Sequence, residues 1–89
     1  YDAAKGWEMI SEQYWAATLL NEYESFNNWR RTGYPTLTPV NYDGNVTGGT
    51  IPRRLIYPVS EQNTNGDNYS AAVARQGADN FTTRIWWDK

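Results

Sequence analysis

The residues with chemistry to offer are carboxylates, amides, arginines and tryptophans, because the sequence contains no Cys and no His. That removes the thiolate nucleophile, the disulfide framework and the imidazole that most hydrolytic and metal sites use. Carboxylates are the remaining route to hydrolysis. Glu8, Glu12, Glu22 and Glu24 are the candidates for cleaving a glycosidic bond, a reaction that needs two carboxyls facing across a cleft at a defined separation. Neighbours on the polar face of one helix do not provide that, so these four read as solvated surface. A second set, Glu61, Asn63, Asn65 and Asp67, places oxygen ligands at every second position around Gly66. Calcium loops use such spacing, but the acidic first position and the closing bidentate Glu of an EF-hand are missing, and Asn, Gly and Asp also make ordinary polar turns. The reading assigns no metal and no cofactor.

A third set could bind without reacting. Trp29, Arg30, Arg31, Tyr34, Trp86 and Trp87 supply aromatic faces of the kind that stack on pyranose rings, with guanidinium groups to meet hydroxyls. The same residues also make packed corners, where Arg lies over aromatic rings and the rings contribute buried area. Asn45-Val46-Thr47, Asn68-Tyr69-Ser70 and Asn80-Phe81-Thr82 match the N-glycosylation tripeptide, which recurs often by chance and means little if the source is bacterial.

Composition narrows the classes further. Eighty-nine residues allow one small domain at most, and five Trp, seven Tyr and two Phe make the apolar supply mainly aromatic. Such residues leave N–H and O–H groups to satisfy, so they suit a surface that packs on something else. The net charge of −2 and pI near 4.9 argue against a nucleic-acid partner. No apolar run approaches the roughly 20 residues of a membrane span. The chain starts at Tyr1 without a signal peptide, and the expectation is a segment that begins inside a longer protein.

The elements that must position these residues divide at Gly33. Trp15, Leu19, Tyr23 and Phe26 are spaced four, four and three, which predicts one long amphipathic helix over about Trp7–Trp29, with a break near Leu20-Asn21 tolerable. Arg30 and Arg31 place positive charge at its C-terminus, Gly33 supplies the left-handed closing residue, and Pro35 prevents a further turn. From Tyr34 to Asp67 helical periodicity is lost and all four prolines occur. A stretch this long without regular structure reads as an ordered loop laid on a surface. Within it, Ile51-Pro52-Arg53-Arg54-Leu55-Ile56-Tyr57-Pro58 is extended. A short helix then runs over Tyr69–Gln76, capped by Asp67 or Asn68 and closed by Gly77. Phe81–Trp87 reads as an extended aromatic tail.

Read together, Phe26-Asn27-Asn28-Trp29-Arg30-Arg31-Thr32-Gly33-Tyr34-Pro35, the Ile51–Pro58 run, Glu61, Asn65, Asn68-Tyr69 and the ending Asp79-Asn80-Phe81-Thr82-Thr83-Arg84-Ile85-Trp86-Trp87-Asp88 resemble the C-terminal region of SusD/RagB-like proteins. The likeness covers nearly the whole chain. It implies a mainly α fold, a piece of a larger tetratricopeptide-containing helical protein, in which residues 1–89 form one segment that does not fold independently. It further implies a lipoprotein on the bacterial outer-membrane surface, anchored through an N-terminal part outside this chain. Such a protein captures glycans for a SusC-like TonB-dependent transporter and catalyses nothing. The partners implied are the remainder of the same protein, that transporter and a glycan. Trp29, Arg30, Arg31, Gly33, Tyr34, Pro35, Pro52, Arg53, Arg54, Trp86 and Trp87 carry the shared motifs and are expected to act as scaffold, with the four arginines fastening the loop to the helix end and to the missing body. No sugar-contacting residue carries over. A free-standing helical interaction module and a glycan-processing enzyme domain are the alternatives.

Overall fold

The computed structural model describes residues 2–88, and its regular structure is entirely helical. A 3₁₀ turn at Ala3–Lys5 leads into α1 (Gly6–Ala17) and α2 (Glu22–Thr32), and α3 (Val59–Thr64) and α4 (Gly66–Gln76) follow later in the chain. The mainly α class expected from the sequence is what is observed, with no strand among the described residues. Residues 2–38 with 87–88 form one compact unit and residues 39–86 a second.

In the first unit, the single helix expected over Trp7–Trp29 is two helices. Thr18 ends α1 by turning its hydroxyl onto the Tyr14 carbonyl at 2.8 Å, a side-chain bond that competes with continuing the helix. Asn21 starts α2: its Oδ1 accepts from the Glu24 N–H at 3.3 Å, a cap contributing about 1 kcal/mol. Thr18 and Ser25 Oγ atoms then meet at 2.7 Å, and Ser25 Oγ also donates to the Thr18 carbonyl at 3.0 Å. The Tyr14 hydroxyl donates to Glu24 Oε2 at 3.1 Å. These bonds close an α-hairpin. At its far end Gly33 adopts φ +78° and its N–H bonds the Trp29 carbonyl, so the predicted helix stop is in place.

The apolar stripe is only partly covered in this hairpin. Gly6, Ser11, Ser25, Asn28 and Trp29 are buried, while Leu19 and Tyr23 are largely exposed and Leu20 is 91% exposed. Small residues let two helices approach closely. Of the stripe, Trp15 and Phe26 are half-buried while Leu19 and Tyr23 are left exposed.

In the second unit, α4 begins at Gly66, ahead of the expected start, with Asn65 as the single residue between α3 and α4. Neither Asp67 nor Asn68 caps it; Asp67 lies in its first turn, where its charge complements the helix dipole. The helix ends before Gly77 as expected. The short helix α3 occupies part of the stretch expected to be irregular, entered through Pro58 at φ −57°. The tail expected to be extended is bent by Asn80, whose Oδ1 accepts from Thr82 N at 3.0 Å and Thr83 N at 2.7 Å. An Asx turn of this kind satisfies local backbone donors without a neighbouring strand.

Candidate functional site

The carboxylate candidates lie apart by helix and role. Glu8 and Glu12 are on α1, Glu22 and Glu24 in the first turn of α2. Glu24 is engaged by Tyr14, whose phenol is pushed above its ordinary value by that hydrogen bond and by the Glu24 charge. Among Glu61, Asn63, Asn65 and Asp67, Glu61 Oε2 accepts from Asn65 Nδ2 at 3.0 Å, and Asn65 Oδ1 accepts from Asn68 Nδ2 at 2.7 Å. Two of the oxygens proposed for a cation are thus occupied by local bonds. No group of three or more acidic side chains is gathered for a metal among the described residues.

The motif residues of the first unit assemble around Arg30. Its guanidinium lies 4.3 Å from the Phe26 ring centroid and 4.5 Å from that of Trp87, a cation held between two aromatic faces. Phe26 stacks on Trp29 at 6.1 Å, and Trp29 is 7% exposed. Arg31 donates to Asn28 Oδ1 at 3.0 Å, and Thr32 Oγ1 bonds the Asn28 carbonyl at 2.8 Å, with Tyr34 N donating back to it at 3.2 Å. Tyr34 and Pro35, joined by a cis peptide bond, are half-buried. The aromatic faces expected to stack on a sugar are therefore covered at Trp29 and Trp87. Trp86, in the second unit, is 94% exposed.

In the second unit the organising group is Asp79, to which the sequence reading gave no role. Its Oδ1 pairs with Arg54 Nη2 at 3.0 Å, with 9% of the Arg54 side chain and 4% of the Asp79 side chain exposed. The Tyr57 N–H donates to both Asp79 oxygens at 3.2 and 3.3 Å, and the Tyr69 hydroxyl donates to Oδ2 at 3.2 Å. Gln76 completes the set once its amide is turned by 180°, its oxygen then accepting from Arg54 Nη1 at 2.7 Å and from the Tyr57 hydroxyl at 3.2 Å. The Tyr57 and Tyr69 rings meet edge to face at 5.8 Å. Desolvation, then the Asp79 hydrogen bond and charge, push the Tyr69 phenol above its ordinary value. Beside this cluster the Arg53 N–H bonds the Phe81 carbonyl at 2.7 Å. A buried charge survives only when paired and hydrogen bonded, and here one carboxylate joins the 51–58 strap, α4 and the turn after it. The signal available in the sequence was complementary charge: an Asp two residues after the Gly77 stop and an Arg pair with no nearby acid.

In each unit these residues bond and stack on one another. No nucleophile, base and cleft are brought together by the motif residues.

Residues 2–88 match the SusD-like family, described as SusD and RagB outer membrane lipoprotein. The chain belongs to the SusD-like family. Solved structures agree with the assignment. A chitin-binding protein is 43% identical over 98% of this chain and 20% of its own, with a TM-score of 0.87. A SusD-like protein, Bacteroidetes AC2a, is 33% identical over 100% and 18%, with a TM-score of 0.86. A chitin-binding SusD homolog from Flavobacterium johnsoniae is 37% identical over 92% and 18%, with a TM-score of 0.76. No curated protein matches. The SusD-like chain thus spans about a fifth of the length of the structures it resembles, and its fold is a piece of the helical SusD fold. No helix among the described residues is long and apolar enough to cross a membrane.

Proposed function

We propose that this chain is the C-terminal segment of a glycan-binding lipoprotein of the bacterial outer-membrane surface, one that captures chitin-type oligosaccharides and passes them to a SusC-like TonB-dependent transporter. The observation that carries this reading is the 43% identity to a chitin-binding protein across nearly the whole chain. The segment's main work is scaffold. Arg30 between Phe26 and Trp87, and Asp79 against Arg54, Tyr57 and Tyr69, hold the motif residues by contacts to one another. The exposed apolar side chains of Trp7, Ile10, Leu19 and Leu20 suit packing against the remainder of a longer protein, since exposed large patches usually mark an interface. Binding without turnover follows: substrate is retained and no bond is broken.

Calorimetric titration of the full-length protein with chitohexaose tests the reading, with the products analysed for new reducing ends. Saturable binding with an unchanged sugar is expected. No binding would overturn the chitin-type assignment, and release of reducing ends in proportion to protein would restore the enzyme alternative.

A further inference from the structure

The segment 39–52 contains no helix, yet it is closely pinned. The Asn45 N–H bonds the Tyr42 carbonyl at 3.1 Å, and Asn45 Oδ1 accepts from Thr47 N at 2.8 Å and Thr47 Oγ1 at 2.6 Å. Thr47 Oγ1 also reaches the Thr50 carbonyl at 2.6 Å, and Thr50 Oγ1 returns to the Thr47 carbonyl at 2.8 Å. Gly49, at φ +81°, brings the two sides of the loop so close that a Cβ there would stand 2.9 Å from Asn41 Cγ. A loop fixed by its own side chains can present groups without an ordering cost at binding. What it presents is apolar: Val40 and Val46 are exposed, as is Tyr42 at 67%.

These side chains line a cleft of about 280 Å³ together with Ile51, Pro52 and Phe81. Small-molecule sites begin at roughly 300 Å³, so the space admits one ring rather than a chain of rings. None of its lining residues is charged, and Asn45, Thr47 and Thr50 supply its polar edge. An anionic ligand would find no counter-charge there. A neutral ring with one apolar face, one small apolar substituent and hydroxyl groups meets the chemistry on each side.

We propose that the 39–52 cleft is an accessory subsite for a single N-acetylhexosamine unit of a chitin-type oligosaccharide. The proposal rests on the glycan-capture reading above. Tyr42 stacks on the apolar face of the sugar, the acetamido methyl enters the cleft between Val46 and Phe81, and the hydroxyls remain at the Asn45–Thr50 edge. Aromatic rings with one polar end suit such a half-wet position. The preformed loop makes this a site of small but specific contribution, adding one held unit to a chain bound elsewhere on the full protein.

The test uses the full-length protein and chitohexaose carrying a diazirine at its non-reducing end, photolysed at saturating sugar, with labels located by mass spectrometry after trypsin. Label is expected on the tryptic peptide spanning 32–53, falling at least fivefold in Tyr42→Ala and retained in Tyr42→Phe. Because Tyr42 is largely exposed, neither variant should alter folding, and unchanged thermal unfolding checks that. Label confined to peptides other than 32–53 and 76–84, the second of which carries Phe81, would overturn the subsite while leaving glycan capture intact. Label in either of these two that is indifferent to Tyr42→Ala would also overturn it. No protein-specific label anywhere would overturn both the subsite and the capture reading.

Discussion

Arg54 and Asp79, twenty-five positions apart, form a 3.0 Å ion pair from which water is almost entirely excluded. Asp79 accepts two further donors, the Tyr57 backbone N–H and the Tyr69 hydroxyl, and on the arginine side the Gln76 amide oxygen, with that amide turned, accepts from the guanidinium. Removing one member strands the other. Asp79→Ala or Arg54→Ala in the full-length protein is expected to cost about 3–5 kcal/mol, the usual penalty for an uncompensated buried charge. A thermal unfolding scan should show it as a loss of several degrees, and the double variant Arg54→Met/Asp79→Leu should recover part of that loss. A single variant with an unchanged midpoint would contradict the fastening role.

Tyr69 supplies a pH dependence. Its phenol is raised above the ordinary value of 10.0, so the folded state keeps a proton that the unfolded chain has released. Stability from this group is present in full below pH 10 and declines as pH rises through the folded value. Tyr69→Phe should therefore be less stable than the parent at pH 8, with the gap narrowing toward pH 11. Urea unfolding at the two pH values measures it; a constant gap would remove the Asp79 contact as its cause. Tyr14, also raised through Glu24, should behave in the same direction.

Gly33 and Gly66 give opposite outcomes for the same substitution. Nothing lies within 4 Å of a Cβ at either position, but only Gly33 has a left-handed φ, at +78°. Gly33→Ala is expected to destabilise by about 1–2 kcal/mol from backbone strain alone. Gly66, in the first turn of α4, should tolerate Ala with no loss or with a gain of roughly 0.5–1 kcal/mol from reduced freedom of the unfolded chain. Paired denaturation curves decide between these signs.

Ser11, in α1, is 1% exposed, and its Oγ has no hydrogen-bond partner among the described residues. Ser11→Ala should be neutral or slightly stabilising, because an unsatisfied buried hydroxyl costs more than it returns. Ser11→Leu should cost about 1–3 kcal/mol through overpacking. Equal effects of the two would mean that the helices do not pack through this position.

The local chemistry of this chain was legible from residue order. Gly33 closed a helix, Gly77 closed another, and the Trp29–Pro35 and Ile51–Pro58 motifs carried the SusD-like likeness, because caps, proline restrictions and motif spacing act over a few residues. Three features required the folded chain. The long amphipathic run, in which a break near Leu20-Asn21 is tolerable but not required, is divided at Thr18–Asn21, where the Thr18 and Asn21 side chains bond the helix ends. Its apolar stripe is covered only in part, with Trp15 and Phe26 half-buried and Leu19 and Tyr23 exposed; periodicity records which residues are apolar and carries no information on what covers them. Asp79 became central only when folding set it against Arg54 and Tyr69. The energy of a buried charge depends on neighbours remote in sequence, and that is the part the linear chain does not encode in any short pattern.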